Sequence, residues 1–80
     1  MTNYYVTYHH PNGDFFVSPH YSLEELKTLA KENGEVFTDD LFIRLMKYNF
    51  ESRKAVRESN IQIIKEVDQI GTVIYEQKKF

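Results

Sequence analysis

The sequence predicts one α+β domain over residues 1–80, with elements in the order β-β-α-α-α-β around a single core. Three observations predict it. The first eighteen residues alternate aromatic and β-branched types about a Pro-Asn-Gly turn. Two capped segments with helical apolar spacing follow. A last β-rich run, Thr72-Val73-Ile74-Tyr75-Glu76, lies near the end of the chain.

Residues 3–18 read as a β-hairpin. Asn3 to His9 is the first strand and Asp14 to Ser18 the return strand, which Pro19 ends. In His10-Pro11-Asn12-Gly13, Pro11 suits the second position of a type I turn, and Gly13 suits the left-handed residue of a G1 bulge. A two-residue Asn12-Gly13 turn is the alternative, but it sets Pro11 in a ladder position where its missing N–H is felt. The preferred register sets Tyr8 opposite Phe16 and Val6 opposite Ser18. Tyr4, Val6, Tyr8 and Phe16 then share one face. Tyr5, Thr7, His9, Phe15 and Val17 share the other. Both faces are apolar, unlike a hairpin with one wetted side.

Residues 23–33 read as an amphipathic helix. Ser22 is its N-cap, with Glu25 placed for a capping box. Leu23, Leu26, Leu29 and Ala30 fall within an arc of about 120°, and Gly34 is placed as a left-handed C-cap. Residues 39–50 read as a second helix, capped by Thr38 or Asp39. Leu41, Phe42, Ile43, Leu45, Met46, Tyr48 and Phe50 cover most of its circumference, which predicts a mostly buried helix. Residues 52–70 read as a third helix, broken near Ser59-Asn60, with Val56, Ile63, Ile64, Val67 and Ile70 on one arc and Gly71 as C-cap. Residues 72–76 are the final strand, and 77–80 a frayed tail. The rival reading makes Ile61–Val67 a strand paired with Thr72–Glu76, which yields a winged-helix-like form with a C-terminal hairpin.

Composition narrows the function classes. The chain is 41% hydrophobic and 28% charged, which is globular rather than disordered. It has no cysteine, so disulfides and thiolate metal sites are excluded; this fits a reducing compartment. No apolar run reaches the ~20 residues of a membrane span, and Met1-Thr2-Asn3-Tyr4-Tyr5 is unlike a secretory signal. The expected location is the cytoplasm, with no membrane partner. The usage of Lys, Asn, Ile, Tyr and Phe is that of an A+T-rich bacterial or phage genome.

Net charge is −2, so no basic field covers the whole domain. Basic residues do gather at Arg44, Lys47, Arg53, Lys54 and Arg57, with Glu51 the one acid in that interval before Glu58. In the winged-helix form these would meet nucleic-acid phosphates. The plainer account is a solvated face in which Lys54 pairs with Glu58.

No catalytic constellation stands out. His9, His10 and His20 lack metal-ligand spacing, and adjacent strand residues point to opposite faces. Ser18, Ser22, Ser52 and Ser59 sit in no nucleophile motif, and Ser22 is better explained as a cap. The three glycines stand far apart, without a phosphate-binding pattern. The expectation is therefore no enzyme, no cofactor and no metal.

What remains is surface. With Tyr4, Val6 and Tyr8 in the core, Tyr5, His9, Phe15 and Val17 form an apolar face of the kind partners bind. The expected function is a non-catalytic protein–protein interaction module, a small inhibitor or regulator, that binds another protein or forms a homodimer. The alternative is a nucleic-acid-binding regulator of winged-helix type that uses the Arg44–Arg57 segment.

Overall fold

The computed structural model describes all 80 residues. Its elements are β1 (Thr2–His9), β2 (Phe15–Val17), β3 (Tyr21–Ser22), α1 (Leu23–Glu32), α2 (Asp39–Glu51), α3 (Lys54–Arg57), β4 (Asn60–Val67) and β5 (Ile70–Gln77). The α+β class and the β-β-α-α-α-β succession hold. The two-residue β3 and the whole of β4 are added to it. The strands form one antiparallel sheet in the order β2-β1-β4-β5, with β3 beside β1 on the β2 side.

The hairpin turn follows from its sequence. Gly13 N–H donates to His10 O at 3.0 Å, His10 N–H donates to Asp14 O at 2.9 Å, and Gly13 takes φ +96°. This is a type I turn closed by a glycine bulge, which sets Tyr8 opposite Phe16 and His9 opposite Phe15. Ser18 then serves both backbone groups of Val6. Its N–H donates to Val6 O at 2.8 Å, and its Oγ accepts from Val6 N–H at 2.9 Å.

Both long helices start and stop where their caps dictate. Ser22 Oγ accepts from Glu25 N–H, and Thr38 Oγ1 accepts from Leu41 N–H, each at 3.1 Å. Gly34 takes φ +72° and donates to Lys31 O, while Glu35 donates to Ala30 O, the two bonds of a Schellman stop.

The core lies between one sheet face and the helices. Tyr4 and Val6 of β1 and Ile61 and Ile63 of β4 are almost wholly buried against Phe42 and Phe50 of α2 and Val56 of α3. Leu23 and Leu26 of α1 pack at its margin. Tyr4 O–H donates to Asp39, whose other oxygen accepts from Lys65 Nζ at 3.3 Å, so the first turn of α2 is tied to β1 and β4. Burial first, and Asp39 second, raise the Tyr4 phenol well above its ordinary value.

Three expectations are corrected. The helix over 52–70 is a single turn, α3, followed by a strand. A helical arc through Val56, Ile63 and Val67 is available, but β1 offers eight residues of unpaired backbone, and only an extended segment satisfies them. The β-branched run Ile61, Ile63, Ile64 and Val67 suits that role. The rival reading was right about this hairpin. It was wrong about the rest of a winged helix, since α3 spans only Lys54–Arg57 and β4 joins β1 in one continuous sheet. Next, α2 is half exposed, with Leu45 at 54% and Tyr48 at 79%: Leu45 opens into a groove between α1 and α2, and Tyr48 lies on the polar strip with Arg44 and Lys47. Finally, residues 77–80 are held. Gln77 Nε2 donates to Ser59 O at 3.0 Å, and Asn60 Oδ1 accepts from Lys79 N–H at 2.7 Å.

Candidate binding surface

All three helices cover the same side of the sheet, so strand alternation presents a second face to solvent. The register sets its side chains in rows. Phe15, His9 and Asn60 form one row, and Val17, Thr7, Gln62 and Glu76 the next. Tyr5, Ile64 and Val73 form a third. The structure thus brings Tyr5, His9, Phe15 and Val17 together on one face, as the hairpin register predicts. Phe15 is 60% exposed, Val17 50% and Val73 47%.

Tyr5 is the least free of the four. Its ring stacks on His20 with centroids 4.2 Å apart and planes within 9°. His20 is oriented in turn by donating from Nδ1 to Asn3 Oδ1 at 3.0 Å, since the Asn3 amide nitrogen is engaged with Glu66. A Cβ on Gly71 would stand 3.2 Å from Ile64 and 3.7 Å from the Tyr5 hydroxyl, so the glycine leaves room for both. His9 meets Phe15 and Phe80 edge-on, at 6.2 and 5.5 Å between centroids. Ile64, Val73 and Phe80 escaped sequence reasoning. The signal for the first two was the alternation of Ile61-Gln62-Ile63.

Carboxylates border the face. Glu66 and Glu76 rim it, and neither has a cationic partner, since the two ion pairs are Met1–Asp68 and Lys65–Asp39. The three histidines go separate ways, and no group of potential metal ligands assembles. His10 does meet a serine. Ser59 Oγ donates to Ala55 O at 2.8 Å and accepts from His10 Nδ1. Ser59 is fully buried, however, so no substrate carbonyl reaches it. That contact ties the hairpin turn to the end of α3.

The basic residues are divided among separate settings. Arg44 and Lys47 share a strip of α2 with Asp40 and Glu51, and Lys47 Nζ lies 5.5 Å over the Tyr75 ring. Arg53 lines a different depression with Tyr8, His10 and Phe16. Lys54 and Arg57 belong to α3, which ends too early to present Lys54 and Glu58 as a helical pair.

A second apolar surface lies where α1 and α2 diverge. It is a groove of about 660 Å³ lined by Leu26, Leu29, Phe37, Leu41, Leu45 and Met46, among others. The helical pattern places Leu26, Leu29, Leu41, Leu45 and Met46 on buried arcs, and Phe37 is assigned to no element by it.

Comparison with known proteins finds no family model, no curated protein and no solved structure that matches this chain. No helix is long and apolar enough to cross a membrane.

Proposed function

We propose that this protein is a non-catalytic interaction module, a small regulator or inhibitor that binds another protein through the uncovered face of its sheet. One observation carries the reading: Phe15, Val17 and Val73 remain about half exposed on a face that also holds Tyr5 and Ile64. A face of this kind is a partner surface by its composition, since aromatic and β-branched residues lose most by staying in water. The acidic rim of Glu66 and Glu76 selects a partner whose apolar patch is flanked by lysine or arginine.

The test is capture of partners by the tagged protein from lysate, with and without nuclease, using three forms. These are the wild type, Phe15→Ser with Val17→Ser, and Leu29→Ser with Leu45→Ser. A stoichiometric protein held by the wild type and the groove variant, and lost from the sheet-face variant, supports the reading. Loss from the groove variant alone moves the site to α1 and α2. Capture that disappears with nuclease favours nucleic acid bound through Arg44, Lys47, Arg53, Lys54 and Arg57, the second reading.

A further inference from the structure

The two edges of the sheet are built differently. On one side β1 is flanked by β2 and β3, three and two residues long, with Pro19 between them. Short strands and proline are devices that stop an edge from recruiting another strand. On the other side β5 runs for eight residues and pairs only with β4. It contains no proline and no lysine, and its one charge is Glu76. Its outer side therefore carries a row of backbone donors and acceptors without strand partners. Its one irregularity is a bulge. Ile63 faces Tyr75 and Ile64 faces Val73, which leaves Ile74 as the extra residue.

The bulge decides what this edge fits. Suppose two copies of a regular eight-residue strand paired antiparallel at full overlap. Ile70 would lie opposite Gln77, and every outward side chain would meet an inward one, because alternation has a period of two. The bulge shifts the alternation by one residue. Gly71 and Glu76 both fall on the uncovered face, while Ile70, Thr72, Tyr75 and Gln77 all fall on the helix side. At full overlap Ile70 then lies opposite Gln77, Gly71 opposite Glu76 and Thr72 opposite Tyr75, with faces matched, and only the central Val73 and Ile74 lie on opposite faces. No like charges meet.

We propose that β5 is a self-association edge. It pairs with β5 of a second copy, antiparallel about a two-fold axis between Val73 and Ile74, and joins two sheets into one. The ladder is about 26 Å long. That is a small interface, so the expected dimer is weak, with a micromolar dissociation constant. Val73 belongs both to the uncovered face and to this edge, but self-association is read on the isolated chain and partner binding through Phe15 and Val17, three strands away at roughly 14 Å, so the two readings fail separately.

Sedimentation equilibrium of the full chain from about 1 µM to about 1 mM, spanning that affinity class, tests it. The variant is Val73→Glu, which sets two new carboxylates near the axis and beside Glu76 of the other copy. The wild type is expected to dimerise across this range, and Val73→Glu to weaken the dimer by about tenfold or more. Amide exchange on the wild type supplies a readout free of any mutation: protection across residues 70–77 should rise with protein concentration. A wild type that stays monomeric throughout overturns the proposal. So does a dimer that Val73→Glu leaves intact, or one whose formation leaves exchange at 70–77 unchanged.

Discussion

The two faces of the sheet are made from the same strands and nearly the same residue types, yet they do different work. On the helix side Tyr4, Val6, Ile61 and Ile63 are at most 1% exposed. On the other side their immediate neighbours Tyr5, Thr7, Gln62 and Ile64 remain partly exposed. A single residue step along β1 or β4 separates the interior from the surface. Hydrophobic content alone therefore does not identify a core in this protein. What distinguishes the faces is whether a helix lies over them, and all three helices chose one side. Apolar residues left on the uncovered side are expected to contribute little to stability, since folding does not remove them from water.

The sharpest way to break the comparison is to remove the same kind of side chain from each face. Ile63→Ala opens a cavity beneath Phe42 and Phe50 and is expected to cost about 3 kcal/mol, read as a lowered midpoint in urea. Equal costs for Ile63→Ala and Val73→Ala would mean that the outer face is a second core.

Tyr4 gives an intermediate test that also separates burial from charge. Tyr4→Phe keeps the ring and removes the bond to Asp39, at an expected cost of about 1–2 kcal/mol near neutral pH. Its pH dependence has a defined sign. The phenol is raised in the fold above its ordinary value of 10.0, so its contribution is complete below pH 10 and is lost as pH rises toward the folded value. Thermal midpoints of wild type and Tyr4→Phe should therefore converge as the solution is made strongly alkaline. A gap that holds constant above pH 10 would contradict the raised phenol.

The smallest stability effect belongs to the uncovered face. Phe15→Ser with Val17→Ser is expected to shift stability by no more than about 0.5 kcal/mol per site, while partner binding falls by at least about tenfold. A large loss of stability with binding intact would reverse the assignment of the faces.

Much of the fold was legible in local chemistry. The His10-Pro11-Asn12-Gly13 turn carried the hairpin register, and with it the joint placement of Tyr5, His9, Phe15 and Val17. Ser22, Gly34 and Thr38 marked helix ends correctly. The groove between α1 and α2 was not legible, because Leu29 and Leu45 satisfy a helical stripe whether or not anything covers them. The division of the basic cluster was hidden too, since it depended on α3 being one turn long.

The second half of the chain shows where sequence stops. From sequence alone came the class, the first hairpin, both long helices and the final strand, because each depends on contacts within a few residues. Only the tertiary structure decided that 60–67 is a strand. Its turn, Asp68-Gln69, carries φ of +50° and +70°, the two left-handed residues of a type I′ hairpin, without the glycine or asparagine that usually announces one. The chain holds that turn through a distant partner: Asp68 N–H donates to Met1 O, and the Asp68 carboxylate takes the Met1 ammonium. Ile63 would be buried on a helix or on a strand, so its own environment does not discriminate. The choice belongs to β1 and β5, which satisfy the backbone of β4 on both sides, and β1 lies more than fifty residues away in sequence.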